Sequence, residues 1–336
     1  MLTILDQLPT PALKTPACDL HKVFSGPTLV HLQGRDPRPL FLSALLHGNE
    51  PVGLQAVQAV LKKYLQADLP RSVSIFFGNV SAAREGMRRL DQQPDFNRIW
   101  PGGDDTDHPE ARMMQEIVDL MSGREVFASI DMHNNTGLNP HYACVNHLGD
   151  PFLQLASLFG RTVVYFLQPR GVQSMAFARL CPAVTLECGK PGDALGVKHA
   201  AEFVDACLHL SSIPAHPVAA NDIDLFHTVA RVRVRNGVTF GFHGKETDIA
   251  FDGDLDRLNF RELPAGTRFG NVADGMERGI LVTGDDGDDL MDRFFSVAGG
   301  WLTLSRAAMP SMLTLDERIV RQDCLCYLME RLPTDR

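Results

Sequence analysis

No stretch of the 336 residues approaches the roughly 18 consecutive apolar residues that a membrane-spanning helix needs, so no membrane partner is expected. Basic residues are in deficit: 32 Lys and Arg stand against 41 Asp and Glu, a net charge of −9. That balance argues against nucleic-acid partners, because neutralising a phosphate backbone takes a basic face. The cysteines number only seven, an odd count at irregular positions (18, 144, 181, 188, 207, 324, 326), which fits reduced thiols better than a disulfide framework. Cys324 and Cys326 are too close for a CxxC knuckle and read as packing thiols on a C-terminal helix. The N-terminal MLTILDQLPTPALK lacks the basic start, apolar run and small-residue cleavage site of a secretory signal, so the expected location is cytoplasmic. No internal repeat or low-complexity tract is evident.

An ordinary globular composition remains, 44% hydrophobic and 22% charged, enough for one large domain and a smaller one. From about residue 27 to 212, strand-like apolar runs alternate with helical periodicity, the mark of an α/β layer fold. The runs are PTLVHL, PLFLSALL, SVSIFFGN, VFASIDM, YACVN, TVVYF and AVTLEC; several are continuously apolar, as a sheet covered on both faces requires. Helices are predicted at Val52 to Gln66, Pro109 to Met121 and Lys198 to Ser211. The segment SSIPAHPVAAND, with two prolines and no periodicity, reads as a linker. Domains are therefore expected at 1–212 and 213–336, the second being β-rich, with pieces such as TVARVRV, TFGFHG, ILVTG and WLTLSR and a closing helix from Leu315 to Arg331.

Three predicted strands end in residues that handle metals or protons. PLFLSALL runs into His47 and Glu50 within HGNE; VFASID runs into His133; AVTLEC ends with Glu187 and Cys188. Ligands bind at the carboxyl ends of strands in open α/β sheets. A hydrolytic zinc ion takes about three imidazole or carboxylate ligands and leaves one position for water. His47, Glu50 and His133 supply that set, and Glu187 is the candidate base for the water proton. Each residue also has a plain reading: a strand-end histidine satisfies hydrogen bonds, and HxxE has the spacing with which an early glutamate caps a helix. Their combination favours a site.

Between them, REGMRRLDQQPDFNRIWPG is a long aperiodic loop with four arginines. Asn97 and Arg98 suit a substrate carboxylate, Arg89 suits a scissile carbonyl, and Arg84 and Arg88 read equally as a solvated face. His141, His147 and His243 are further candidates to line a pocket. DGDLDRLNFRE is not an EF-hand, because Arg257 occupies the position that needs glycine.

The series HGNE, FNR, DMHN and ECG, in this order, resembles the succinylglutamate desuccinylase/aspartoacylase family of the zinc carboxypeptidase superfamily. The resemblance covers roughly residues 40 to 200 by motif. It implies a three-layer α/β/α domain with a mixed central sheet, a β-rich C-terminal domain over the active-site mouth, and hydrolysis of an amide between an acyl group and an amino acid. By position it implies one zinc ion per chain on His47, Glu50 and His133, Glu187 as base, Asn97 and Arg98 on the substrate carboxylate, and Arg89 on the carbonyl, one inserted residue being assumed. The chain departs from aspartoacylase-like members where these hold a second substrate carboxylate: Ala176 stands in place of an arginine, with Arg170 or Arg179 as out-of-register substitutes. An unpaired buried charge there is costly, so N-acetylaspartate and succinylglutamate are not the expected substrates. Three readings stay open: a zinc-dependent deacylase of N-acyl amino acids, a metallocarboxypeptidase on short peptides, and a non-catalytic metal- or ligand-binding protein. The acyl group, the metal taken up in the cell and homo-oligomerisation are not legible in the sequence.

Overall fold

The continuous apolar runs become the inner strands of a mixed sheet in the computed structural model of this chain, which describes residues 1–104, 107–242, 244 and 246–333. The chain forms two units: Met1–Asn134, His141–Tyr165 and Pro169–Asp224 make the first, and Asn135–Pro140, Phe166–Gln168 and Leu225–Arg336 the second.

The first unit contains β1 (Thr3–Leu5), β2 (Thr28–Leu32), β3 (Gly34–Ala44), α1 (Val52–Lys63), β4 (Leu69–Phe77), α2 (Val80–Arg84), α3 (Pro109–Ser122), β5 (Ala128–His133), β6 (Tyr142–Val145), α4 (Asp150–Phe159), β7 (Thr162–Tyr165), α5 (Gln173–Phe177), β8 (Ala183–Glu187) and α6 (Ala194–His209). Its strands lie in the order β1-β2-β4-β3-β5-β8-β6-β7. The central four, β4, β3, β5 and β8, are parallel, while β2 and β6 run antiparallel to them.

Alternation along β3 sends its side chains to two apolar layers. On one face, α1 lies close because Gly53 presents no side chain to Ala44; a Cβ there would stand 3.0 Å from the Ala44 Cβ and 3.1 Å from that of Met132. On the other, Phe41 and Phe76 join Trp100, the α3 residues Met113, Met114, Ile117 and Met121, and Phe177 of α5 in one buried cluster. Helices thus cover both faces, as the uniformly apolar inner strands require.

The second unit contains β9 (Asp224–Val234), β10 (Phe240–Phe242), β11 (Ile249–Phe251), β12 (Arg268–Val272), β13 (Ile280–Thr283), α7 (Met291–Phe294), β14 (Phe295–Ala298), β15 (Trp301–Leu304), β16 (Met309–Ser311), α8 (Glu317–Gln322) and β17 (Cys326–Arg331). One sheet has the order β10-β11-β12-β15-β14. Elsewhere β17 pairs antiparallel with both β9 and β16, and β13 with β9.

The expected closing helix from Leu315 to Arg331 is corrected here. Asp316 caps a single short helix, α8, its carboxylate accepting from the amides of Arg318 and Ile319, and the chain then extends into β17. Cys324 and Cys326 are buried packing thiols, but neither is helical. Pairing of Cys326–Arg331 with β9 outweighs the local helical pattern. No disulfide joins the cysteines, and among the described residues no helix is long and apolar enough to cross a membrane. His243 lies outside the described residues.

Phe41 stacks on Phe177 with ring centroids 4.1 Å apart at the centre of the covered face. Phe41→Ala is expected to cost about 3–5 kcal/mol in equilibrium unfolding; a loss below about 1 kcal/mol would show that the cavity collapses and that this stack is not central.

Candidate metal centre

From β3 the chain crosses to β4 on one side, then returns to place β5 on the other side of β3. The carboxyl ends of β3 and β5 therefore flank a topological switch point, the place where such sheets open a crevice. His47 follows β3, and His133 is the last residue of β5. Leu45, between β3 and His47, is held in the left-handed region at φ 58°, a strain of about 1–3 kcal/mol for a residue with a side chain. The end of β4 holds this turn: Gly78 N donates to Ala44 O at 2.9 Å and Asn79 N to Leu45 O at 2.6 Å. Gly48 then allows the α2 backbone to approach, since a Cβ there would lie 2.1 Å from Ala83 N.

The structure brings His47, Glu50 and His133 together. His47 Nδ1 lies 2.9 Å from Glu50 Oε1, and His133 Nδ1 lies 2.6 Å from Glu50 Oε2. All three residues are buried. The outer nitrogen of each ring faces another carboxylate: His47 Nε2 is 2.9 Å from Asp95 Oδ1 and His133 Nε2 is 2.7 Å from Asp131 Oδ2. The result is one unbroken chain, Asp95–His47–Glu50–His133–Asp131.

Both outer carboxylates are anchored. Asp131 accepts from Ser43 Oγ at 2.6 Å and from Asn97 Nδ2 at 3.3 Å. Asp95 accepts from Arg88 Nε at 3.0 Å and from the Asn97 amide at 2.8 Å. Arg88 also reaches Glu50, with Nη1 3.7 Å from Oε1.

These groups demand positive charge among the carboxylates. Burial pushes the Glu50 carboxyl upward, but the charges of His47 and His133 outweigh it and its pKa is lowered. The same contest leaves Asp95 well below its ordinary range, burial being overcome by Arg88, His47 and Arg98. Burial opposes protonation of His133, yet Asp131 and Glu50 hold its imidazole well above the usual value.

A bound cation answers the same demand. The ligand atoms of His47, Glu50 and His133 all lie within 4.8 Å of one another. Two imidazole nitrogens and a carboxylate oxygen are a hydrolytic zinc donor set. The carboxylates behind the rings fix their orientation and raise their basicity, as the outer partners of metal-binding histidines do. The residues present fit a zinc ion.

Glu187 ends β8, is buried, and is the register partner of His133. Asn134 fixes the turn after it, donating from Nδ2 to Gly189 O at 3.0 Å while its Oδ1 accepts from Val52 N at 3.1 Å. Asn134 therefore caps α1, and the Glu50 side chain points to the histidines rather than to the helix amides.

Other sequence candidates fall differently. Arg88, readable as a surface residue, is buried beside Glu50. Arg89 instead turns to the Gln93 carbonyl at 2.9 Å. Asn97 is engaged at both ends of its amide, its Oδ1 accepting from Gln173 N at 2.8 Å. Arg98 is half-buried and donates from Nη1 to Asn97 O at 2.7 Å. Arg170 and Arg179 are exposed, and Ala176 belongs to the apolar cluster under the sheet. Gly171 is nevertheless pressed on the Arg98 loop, where a Cβ would stand 2.0 Å from Arg98 O. His147 is exposed and accepts from the Gly149 amide; His141 lies beneath Gly189 and faces Asp193 at 3.3 Å.

Asp95, Asp131, Arg88 and Asn134 were not singled out as site residues by sequence. Asp131 carried a signal, being a lone acid in an apolar strand two residues from His133 and so on the same face. Asp131→Asn is expected to weaken zinc binding about 10- to 100-fold in a chelator competition; unchanged affinity would show that the carboxylate behind His133 does not tune the ligand.

Residues 36–211 match the succinylglutamate desuccinylase/aspartoacylase catalytic domain. Among curated proteins none matches the chain. In fold it is similar to the succinylglutamate desuccinylase/aspartoacylase of Rhodobacter sphaeroides, at 16% identity over 90% of this chain and 89% of that one, with a TM-score of 0.58. The succinylglutamate desuccinylase of Chromobacterium violaceum gives 17% identity over 89% and 86%, with a TM-score of 0.54. A variant of murine aminoacylase 3 gives 14% identity over 89% and 95%, with a TM-score of 0.55.

Proposed function

The chain belongs to the succinylglutamate desuccinylase/aspartoacylase family, and from that premise we propose that it is a zinc-dependent hydrolase cleaving the amide bond of an N-acylated amino acid. The observation that carries this reading is the buried His47–Glu50–His133 cluster with a carboxylate behind each imidazole. When bound to these three residues, zinc supplies a Lewis acid that polarises a carbonyl and brings the pKa of water to about 7.

The remaining chemistry belongs to the protein. Glu187 takes a proton from the attacking water on a carboxylate oxygen and returns it to the leaving nitrogen, which departs as an amine. Its position beside His133 in the β5–β8 ladder supports that role. Arg88 joins Arg89 as a candidate to stabilise the developing oxyanion: its guanidinium is buried between Asp95 and Glu50, while Arg89 donates to Gln93 O. Arg98 holds the substrate carboxylate through its planar fork, and Asn97 keeps Arg98 and Asp131 in register. With exposed Arg170 and apolar Ala176, the acyl side is not built around a second carboxylate.

Assays with purified, zinc-loaded protein against N-acyl amino acids and short peptides test the reading. Hydrolysis of the former is expected, while cleavage confined to peptides would favour a carboxypeptidase. Glu187→Gln should retain zinc and lose about 10²–10⁴-fold in kcat; full activity would sink the assigned base. Arg98→Lys should raise KM about tenfold or more with a smaller change in kcat, because an ammonium cannot reproduce a bidentate fork.

A further inference from the structure

The amino-terminal end of β3, opposite the end that leads to His47, carries a feature that the proposed reaction does not use. Along the β3–β4 ladder Asp36 lies opposite Arg71 and Leu40 opposite Val73, so 40 − 36 = 4 steps on β3 face 73 − 71 = 2 on β4. Pro37, Arg38 and Pro39 bulge out of the ladder, the prolines having no amide to pair. Beside the bulge is a cavity of about 140 Å³, with His31, Pro37, Pro39, Ser72, Ser74 and Arg124 among its walls.

Its polar side chains are His31, Gln33, Ser72, Ser74 and Arg124, each able to donate. His31 and Ser74 are register partners in the β2–β4 ladder and are 5% and 1% exposed. His31 Nδ1 lies 2.9 Å from Ser74 Oγ. The contact suits either tautomer; when the serine hydroxyl donates to Nδ1, the ring proton resides on Nε2 and is left for another partner. Ser72 Oγ accepts from Gly34 N at 3.1 Å, which leaves its hydroxyl hydrogen to donate. Arg124 is exposed at the rim, and no Asp or Glu lines the walls. Burial first, and then Arg124, push the His31 imidazole down against the weaker pull of Asp6.

We propose that this cavity is a binding site for a small oxyanion, a phosphate, sulfate or short carboxylate held by His31, Ser72 and Arg124. An oxyanion set among them can accept from the imidazole, the hydroxyl and the guanidinium at once, the last through a charge-assisted bond. At about 30 Å³ of liquid volume per water, the space admits one tetrahedral oxyanion. Because the cavity and His47 lie at opposite ends of β3, occupancy is separable from the metal centre.

The test follows the His31 ring resonances by NMR in the zinc-loaded protein as inorganic phosphate is added at constant ionic strength, with sulfate and acetate in parallel. A saturable His31 shift is expected, weakened about tenfold or more in Arg124→Ala. Arg124 is exposed, so this variant should melt with the parent and keep its zinc. A response to phosphate and sulfate alone assigns a tetrahedral oxyanion, and a response to acetate assigns a carboxylate. Absence of a saturable shift with all three anions would overturn the proposal, as would a shift unaltered in Arg124→Ala.

Discussion

The Glu50 carboxylate, buried between two imidazoles, is the constraint on which the rest of the site depends. A carboxylate removed from water is costly unless its charge is answered at close range. Here the answer comes from His47 and His133, 2.9 and 2.6 Å away. Those rings are answered in turn by Asp95 and Asp131, and Asp95 by Arg88. Each partner is needed because the one before it is buried. Removing one of them leaves its neighbour's charge less well answered in a low-dielectric interior. A divalent cation closes the same ledger, which is why a chain of acids and histidines that would otherwise be a burden reads as a metal centre.

The fold supplies the close range. The parallel central strands of the mixed sheet bring the carboxyl ends of β3, β5 and β8 to one side, and the switch point between β3 and β5 opens a crevice there. Tight approaches then aim the residues: strained Leu45 turns the chain toward His47, Gly48 lets α2 in, and Asn134 ties the start of α1 to the turn after Glu187. At the other end of β3 the Pro37–Pro39 bulge breaks the same ladder and leaves the space bounded by His31 and Arg124. One strand thus organises two polar regions by opposite means, a tight turn at one end and a gap in pairing at the other.

Much of this was legible in the sequence, for physical reasons that differ by residue. Apolar runs ending in His47, His133 and Glu187 announce strands that deliver polar groups, and continuous apolarity announces a sheet covered on both sides. Glu50 was legible as a ligand only in company, since its spacing also suits a helix cap; the structure gives that capping to Asn134. Arg88 could not be separated from Arg89, because an aperiodic loop carries no signal for which of two adjacent arginines turns inward. Asp95 lay hidden as the counter-charge in an arginine-rich stretch. The C-terminal strand was missed because DERIVRQ has a real helical start at Asp316, while pairing of Cys326–Arg331 with β9 is a contact at long sequence distance.

We propose that two imidazole nitrogens, of His47 and His133, and a Glu50 oxygen hold one metal ion. X-ray absorption at the zinc edge of the purified, zinc-loaded chain tests it most directly. A single zinc environment of nitrogen and oxygen ligands at about 2.0–2.1 Å is expected, with the outer-shell scattering of two imidazoles. Sulfur scattering at about 2.3 Å, or a spectrum without imidazole features, would contradict it.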